Sequence, residues 1–204
     1  MEQRTTNNKR TAVSPGELRA DRRYTYADLA LELNETTSPC ELWDGELTMS
    51  PAPTFYHQEV VFRFHEALNR WVVANGLGKV VGSPVDMVLS PHRAVQPDVL
   101  FVAQARLDIV TRAVNGPADL VAEVVSLEGR RRDRIEKRDL YEQAGVREYW
   151  IVDTEAETIE VLFLADQHYV VAARARRGDI ARSRLLPGFH VSVIDVLGKV
   201  IGEL

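Results

Sequence analysis

The apolar positions follow helical spacing most clearly in the stretch after Thr54. Thr54 has the side chain of a helix N-cap, and the stripe beyond it predicts a long helix that runs to about Ala74. Asn75 and Gly76 favour the end of that helix. His57 lies one turn before the stripe and on the same face. The stripe consists of Val61, Phe64, Leu68 and Trp71 or Val72.

Helical and strand-like patterns also follow each other near the beginning of the chain. Thr25 and Asp28 have the spacing of a capping box, which predicts a short helix over residues 26–34. Residues 41–49 then alternate as two short strands around Asp44 and the glycine after it, a pair that accepts the positive φ angles of a two-residue type I′ turn. We therefore expect a β-hairpin after the short helix.

The rest of the chain reads as short strands around one further helix. Residues 1–16 are polar and are predicted to be a disordered tail, whereas residues 17–204 are expected to form one domain. The order of elements predicts an α/β (α+β) fold with a mixed central β-sheet flanked by helices. The remaining predicted elements are strands over residues 79–89, 98–103 and 120–126, a helix over residues 130–144, antiparallel strands over residues 147–153, 158–164 and 168–174, and a last strand with a short terminal helix after Pro187-Gly188.

Composition and charge exclude several classes of protein. Of the 204 residues, 45% are hydrophobic and 27% are charged, which is ordinary globular usage. The formal net charge of -5 excludes a uniformly basic nucleic-acid coat, although a local basic patch remains open. Cys40 is the only cysteine, so neither a disulfide framework nor a cysteine-based zinc site is expected. Because no apolar run approaches the ~18 residues of a membrane span and no signal-peptide core is visible, we expect a cytoplasmic protein.

A glutamate lies in the middle of a strand that is apolar on both faces. Residues 120–126 read Leu-Val-Ala-Glu-Val-Val-Ser, which is typical of a central strand buried on both sides. Alternation places Glu123 on the same face as Val121 and Val125. Because a lone buried carboxylate is costly, Glu123 must be protonated, paired with a cation or bound to a metal.

The second predicted helix offers a partner for this glutamate. Asp133, Lys137 and Tyr141 are spaced four residues apart, on the face that is expected to contact the sheet. A lysine on a buried face usually meets a carboxylate, so Lys137 is the expected partner of Glu123. Ile135 falls on the opposite side and departs from a clean stripe. The arginines expected to point away from the sheet are Arg131, Arg134 and Arg138.

A second carboxylate is expected beside Glu123. In the segment Gln96-Pro97-Asp98 the proline can begin a strand, and Asp98 would stand at its end, next to Glu123, if the two strands pair. Two carboxylates and a backbone carbonyl suit Mg2+ or Mn2+, and a nearby lysine can orient or help deprotonate a metal-bound water. Spacing alone leaves a second interpretation open, in which Glu123 and Lys137 are a structural ion pair and Asp98 caps the strand.

Several short motifs follow one another in a fixed order from about Tyr24 to Leu197. They are Glu41-Leu42-Trp43-Asp44-Gly45-Glu46, His57, Gln96-Pro97-Asp98-Val99, Glu123-Val124-Val125-Ser126, Asp133 with Lys137 and Tyr141, and Gly145-Val146-Arg147-Glu148-Tyr149-Trp150-Ile151-Val152-Asp153. Each motif is weak alone, but their order and spacing together are specific. In these motifs the chain resembles the PD-(D/E)xK nuclease superfamily and, more narrowly, the Uma2 (Uma-two) family of restriction-endonuclease-like proteins.

The resemblance implies a restriction-endonuclease-like core and a metal-dependent catalytic centre. It implies that Asp98 and Glu123 are catalytic ligands of Mg2+ or Mn2+ and that Lys137 is the catalytic lysine. The usual superfamily pattern has its lysine two residues after the glutamate, where this chain has Val125. Lys137, from the following helix, would take over that role.

The same resemblance suggests further candidates for the site. Glu46 follows the hairpin turn and His57 begins the inward face of the long helix, so either could contact the metal directly or through water. For His57, an ordinary helix-start or core histidine is the alternative. Asp133 and Tyr141 accompany Lys137 on its helix and complete this second tier.

Two segments concentrate positive charge. Residues 130–138 contain six basic and two acidic residues, and residues 174–184 contain five basic residues and one aspartate, so each carries a net charge of +4. Either segment could meet a phosphate backbone, and either could be a solvated arginine face. The candidates for phosphate contacts are Arg131, Arg134 and Arg138.

The interpretation of the sequence is a metal-dependent DNA endonuclease that hydrolyses phosphodiester bonds. A homodimer is expected because cutting both strands generally needs two sites. The strands after Gly145 offer an edge or face for pairing through Trp150, Ile151 and Phe163, although such residues are also typical of core strands. Two alternatives remain open. One is a catalytically weak or inactive module of nuclease fold that binds nucleic acid or a protein partner, and the other is a purely structural role for the buried ion pair.

Overall fold

The computed structural model describes most of the chain between residues 22 and 198. The described residues are 22–32, 40–49, 52–125 and 135–198. The predicted tail and three of the site candidates, Arg131, Asp133 and Arg134, lie outside them.

The described residues form short strands and helices in the mixed order that the sequence predicts. The helices are α1 (Tyr26–Glu32), α2 (Phe55–Ala74), α3 (Lys137–Ala144) and α4 (Val193–Leu197), with a 3₁₀ helix at Gln104–Ile109. The strands are β1 (Cys40–Trp43), β2 (Glu46–Met49), β3 (Gly78–Gly82), β4 (Met87–Ser90), β5 (Arg93–Val95), β6 (Val99–Ala103), β7 (Val114–Asn115), β8 (Leu120–Val125), β9 (Glu148–Asp153), β10 (Thr158–Ala165), β11 (His168–Arg176), β12 (Ile180–Arg182) and β13 (His190–Ser192).

A six-stranded mixed sheet is the centre of the fold. Its strand order is β11-β10-β9-β8-β6-β3, and β8 and β9 are parallel whereas the other pairs are antiparallel. A five-stranded sheet of order β2-β1-β5-β4-β7 contains the hairpin, and β12 pairs with β13 in a third, two-stranded sheet. The mixed sheet that the sequence predicts is confirmed, with a second sheet beside it.

Apolar side chains of two helices cover the two faces of the central sheet. Phe64 and Leu68 of α2 pack on one face together with Ala122 and Val124 of β8. Leu140 of α3 packs on the other face, in a cluster that includes Val121 and Val125 of β8. Strand β8 is therefore buried on both sides, as its apolar sequence predicts.

Local sequence signals place the first elements correctly. The Thr25 backbone N–H donates to Asp28 Oδ2 at 2.8 Å and the Asp28 N–H donates to Thr25 Oγ1 at 3.2 Å, which is the reciprocal pattern of a capping box. Asp44 and Gly45 have φ angles of 49° and 84°, so the hairpin turn is of the type that asparagine or aspartate followed by glycine favours. Thr54 caps α2 by accepting the His57 N–H at 3.2 Å.

The predicted single strand over residues 79–89 is wrong, because the structure divides it between two sheets. Strand β3 ends at Gly82 and pairs with β6, whereas β4 begins at Met87 and pairs with β5. Pro84 lies between them and has no N–H for a ladder, which explains the interruption. Strands β5, β7 and β12 were not predicted, since two or three residues are too few to show a period.

Trp150 and Ile151, two of the residues at which a pairing surface is expected, do not lie at a free edge. Trp150 and Ile151 of β9 are 0% and 2% exposed, because β9 lies between β8 and β10. They therefore belong to the core, and the expectation that they offer a pairing surface is wrong.

No helix among the described residues is long and apolar enough to cross a membrane.

Candidate active site

The pairing of β6 with β8 brings the two candidate metal ligands to one end of the central sheet. The antiparallel register sets Val99 opposite Ala122, so that Asp98, one residue earlier, comes opposite Glu123. The Asp98 carboxylate is tied to this strand directly, since its Oδ2 accepts the Val124 N–H at 2.8 Å. The predicted proximity of Asp98 and Glu123 through strand pairing is thus confirmed.

Glu123 meets the lysine that the sequence assigned to it. Lys137 Nζ donates to Glu123 Oε1 at 2.8 Å, and the Tyr141 hydroxyl donates to the same oxygen at 2.6 Å. Both donors lie on α3 at a spacing of four residues, which puts them on the face turned to the sheet. Glu123 and Lys137 are only 2% and 7% exposed, so this is a buried and hydrogen-bonded ion pair.

Tyr141 is held in its protonated form by this environment. Its side chain is completely buried, and burial raises the pKa of the phenol well above its ordinary value; the nearby charge of Glu123 raises it further. Tyr141 therefore acts as a hydrogen-bond donor to Glu123 at any working pH. Its edge-to-face contact with Tyr149, at 5.1 Å between ring centroids, fixes the ring.

A further glutamate, Glu41 of β1, contacts Lys137 and was not predicted. Together Glu41, Glu123, Lys137 and Tyr141 form the buried cluster of this site. Glu41 Oε1 lies 3.4 Å from Lys137 Nζ and accepts the Gln96 N–H at 3.1 Å. Its Oε2 accepts the indole N–H of Trp43 at 3.1 Å. The only sequence signal was a charged residue inside a hairpin strand, because the lysine that contacts it comes from a distant part of the chain.

His57 lies beside Asp98 at the start of α2. The distance between His57 Nε2 and Asp98 Oδ1 is 3.4 Å, and both side chains are partly exposed. The Thr54 cap fixes the first turn of the helix and so positions His57 toward the strand end. The histidine thus approaches the carboxylate oxygen that does not bond to Val124.

Glu46 and Val125, two further positions of the family motifs, do not contribute to the buried cluster. The Glu46 side chain is 68% exposed and pairs with Arg23 at 3.3 Å on the surface of the hairpin, so Glu46 does not join the buried cluster. Val125, at the usual place of the superfamily lysine, is completely buried among apolar side chains. The ammonium group at this site comes from α3.

A comparison with protein families decides the affiliation of the chain. A family model named Uma2 and described as "Putative restriction endonuclease" matches residues 25–195. The chain belongs to the Uma2 family. The matched region contains every described residue of the buried cluster, so the resemblance drawn from the motifs is confirmed.

Comparison with solved structures supports the same fold. A crystal structure of "a putative nuclease belonging to DUF820" from Anabaena variabilis superposes with a TM-score of 0.70 at 16% identity, over 83% of this chain and 96% of that one. The type IIG restriction endonuclease BpuSI matches with a TM-score of 0.37 at 17% identity, over 61% of this chain and 14% of that one. A search of the curated proteins found no match.

The basic segments of this Uma2 chain are only partly available to a ligand. Arg138 is exposed on α3, next to the buried Lys137. In the second segment, Arg174 pairs with Glu160 and Arg177 pairs with Glu157, both at 3.1 Å. The Arg184 guanidinium lies 4.6 Å from the centre of a phenylalanine ring. These three arginines already have partners within the protein, which favours the solvated-face interpretation for that segment.

The side chains at this end of the sheet suit a hard divalent cation in type but do not form a cage around one. Among the described residues, no group of three or more His, Cys, Asp or Glu side chains stands in a metal-binding arrangement. Mg2+ is commonly held by one or two carboxylates, with water and substrate phosphate completing the shell. Asp98 and Glu123 supply that number of carboxylates, so the donor set fits a cation that is completed by substrate.

Proposed function

We propose that this protein is a metal-dependent DNA endonuclease that hydrolyses phosphodiester bonds in the cytoplasm. The observation that carries the proposal is the Lys137 ammonium group, 2.8 Å from Glu123 and at the strand end where Asp98 is anchored. Membership of the Uma2 family and the likeness of the fold to the "putative nuclease" from Anabaena variabilis support it.

Each side chain has a role that its contacts support. Asp98 and Glu123 would hold Mg2+ or Mn2+, which when bound supplies Lewis-acid stabilisation of phosphoryl charge. Lys137 holds its proton near the scissile phosphate and stabilises the charge that develops there. Tyr141 orients the Glu123 carboxylate through its hydroxyl group, and His57 orients Asp98 from the exposed side.

Binding of DNA would use the outward face of the helix that carries Lys137. Arg138 is exposed there. The sequence predicts that Arg131 and Arg134, which lie outside the described residues, share its face. Each phosphate contact that is lost lowers the salt slope of binding by about 0.9. Glutamine at all three positions should flatten the salt dependence by up to about 2.7 without changing Mn2+ binding. Cleavage of both strands would require two such domains, which we propose act as a homodimer.

The direct test is a nuclease assay with Mn2+ on supercoiled plasmid, single-stranded DNA and branched DNA. We expect cleavage by the wild type and at least a 100-fold loss in Asp98→Ala and in Lys137→Ala. Asp44→Asn is a matched control, because it removes a carboxylate from the hairpin surface and keeps a residue that suits the turn.

Binding of the metal is measured separately by calorimetry and by thermal unfolding. Mn2+ should raise the melting temperature of the wild type, since a ligand of the native state stabilises it. Asp98→Ala should abolish that shift, whereas Lys137→Ala should retain much of it because the lysine is not a ligand. A wild type that binds no Mn2+ contradicts the proposal. DNA binding without cleavage would instead favour the inactive binding module.

A further inference from the structure

We infer that Glu41 is a positioning residue of this site. It pairs with the Lys137 ammonium group and keeps it in place when Glu123 binds a metal ion. The inference rests on the proposed function for its catalytic consequence. Its structural part, that Lys137 has two alternative carboxylate partners, can be tested without metal or DNA.

The geometry places one ammonium group between two carboxylates. Lys137 Nζ lies 2.8 Å from Glu123 Oε1 and 3.4 Å from Glu41 Oε1. All three side chains are less than a tenth exposed, so solvent screens their charges weakly. An ammonium group has three N–H donors and can serve both carboxylates at once.

Glu41 is the carboxylate that is fixed independently of the lysine. Its Oε1 accepts the Gln96 backbone N–H and its Oε2 accepts the Trp43 indole N–H, both at 3.1 Å. Strand β1 belongs to the five-stranded sheet, and Gln96 comes two residues before Asp98. Glu41 therefore stays in place through contacts that do not involve Lys137.

The charges explain why a second carboxylate is needed. A divalent cation bound to Glu123 would compete with Lys137 for that carboxylate. When Glu123 binds such a cation, the neighbouring Lys137 would lose its closest partner and meet a second positive charge. Glu41 keeps the ammonium group paired and near the substrate, because an unpaired buried charge would deprotonate or move away.

The first experiment observes the ammonium group directly, without metal. The chain has four lysines, at positions 9, 79, 137 and 199, so nitrogen-15 NMR of the side-chain ammonium groups is simple to assign with Lys137→Met. Exposed ammonium protons exchange quickly with water, whereas those of a buried, hydrogen-bonded lysine persist. We expect the Lys137 signal in the wild type, in Glu41→Gln and in Glu123→Gln, with faster proton exchange in the double variant than in either single variant.

Loss of the signal in Glu123→Gln alone would overturn the inference, since Glu41 would then be unable to hold Lys137. Exchange in the double variant as slow as in the single variants would overturn it as well. Asp44→Asn, in the same hairpin, must keep the signal. Glutamine preserves the shape of both side chains, and thermal unfolding verifies that each variant is folded.

The second experiment separates positioning from metal ligation. Glu41→Gln should lower kcat about tenfold, with KM and the Kd for Mn2+ changed less than threefold. A Kd raised tenfold or more would make Glu41 a ligand, and an unchanged kcat would make it structural; either result overturns the assignment. If the wild type neither binds Mn2+ nor cleaves DNA, the proposed function fails, and the NMR result alone then decides the structural inference.

Discussion

Glu123 and Glu148 are both buried glutamates of the central sheet, in the neighbouring strands β8 and β9, yet their surroundings differ. Glu148 is 0% exposed and accepts hydrogen bonds from neutral donors: the Trp150 indole and Ser183 hydroxyl at 2.7 Å, and the N–H groups of Arg184 and Leu185 at 2.7 and 2.8 Å. Glu123 instead accepts from an ammonium group and a phenol, both on one helix.

The difference separates a structural carboxylate from one that is suited to chemistry. Two of the donors to Glu148 are backbone groups, so the carboxylate fixes β9 to the segment after Ser183. Within the described part of the chain, no lysine or arginine pairs with Glu148. The donors to Glu123 are both side chains, and its cation partner also contacts a second carboxylate. Burial alone therefore does not identify a site; the kind of donor does.

The largest expected effect is on the structural side of this comparison. Glu148→Ala should lower the free energy of unfolding by about 4 kcal/mol, because it leaves two partly buried backbone N–H groups and the buried indole N–H of Trp150 without an acceptor. Glu123→Ala should cost about 2 kcal/mol, since Lys137 keeps Glu41 as its partner. Urea denaturation measures both values. Equal losses would mean that the two glutamates are structural in the same sense.

The next effect concerns the rate of cleavage, for which Glu123 should matter and the contacts of Glu148 should not. Glu123→Gln should lower the rate of Mn2+-dependent cleavage about 100-fold, which corresponds to about 2.7 kcal/mol in activation free energy, because an amide replaces a charged ligand. Ser183→Ala, which removes one donor from Glu148, should leave the rate within about threefold and cost about 1 kcal/mol of stability. A 100-fold loss of rate in Ser183→Ala would remove the distinction.

Local sequence patterns predicted the surroundings of Glu123. The spacing of Lys137 and Tyr141 predicted that both would face the sheet, and they do. The apolar sequence around Glu123 predicted its burial, and the Pro97 start of β6 predicted the approach of Asp98. In each case the information lies in the period of a helix or strand, which tertiary contacts preserved.

The contacts of Glu148 and Glu41 could not be predicted in this way, because they join distant parts of the chain. Glu148 appeared in a strand motif, but its donors come from the segment at Ser183, which has no periodicity of its own. Glu41 meets Lys137 only because side chains of the five-stranded sheet pack against those of the central sheet and α3. The position of a carboxylate in a strand gives its face, but it does not give the donors that will meet it.

A third effect depends on pH and concerns Tyr141. Its pKa is raised in the folded protein, so in the unfolded chain the phenol ionises first, near pH 10. The contribution of Tyr141 to stability is therefore complete below pH 10 and is lost as the pH rises toward the folded pKa. Above pH 10 the wild type should lose about 1.4 kcal/mol per pH unit more than Tyr141→Phe. Urea denaturation from pH 9 to 11 measures the two slopes, and identical slopes would contradict the assignment.

The smallest expected effect tests whether the site contributes to stability at all. Apolar residues of similar volume often replace a buried ion pair without loss, provided that no partner remains behind. The combined variant Glu41→Gln, Glu123→Leu, Lys137→Met and Tyr141→Phe removes these charges together and keeps one amide oxygen as an acceptor, for either the Trp43 indole or the Gln96 N–H. Its free energy of unfolding should lie within about 1 kcal/mol of the wild type, with no cleavage and no Mn2+ binding. Replacement of Glu148 leaves more donors without an acceptor, because four groups donate to it, two of them the backbone N–H groups of Arg184 and Leu185. A loss of about 4 kcal/mol in the combined variant would show that the buried cluster, like Glu148, stabilises the fold.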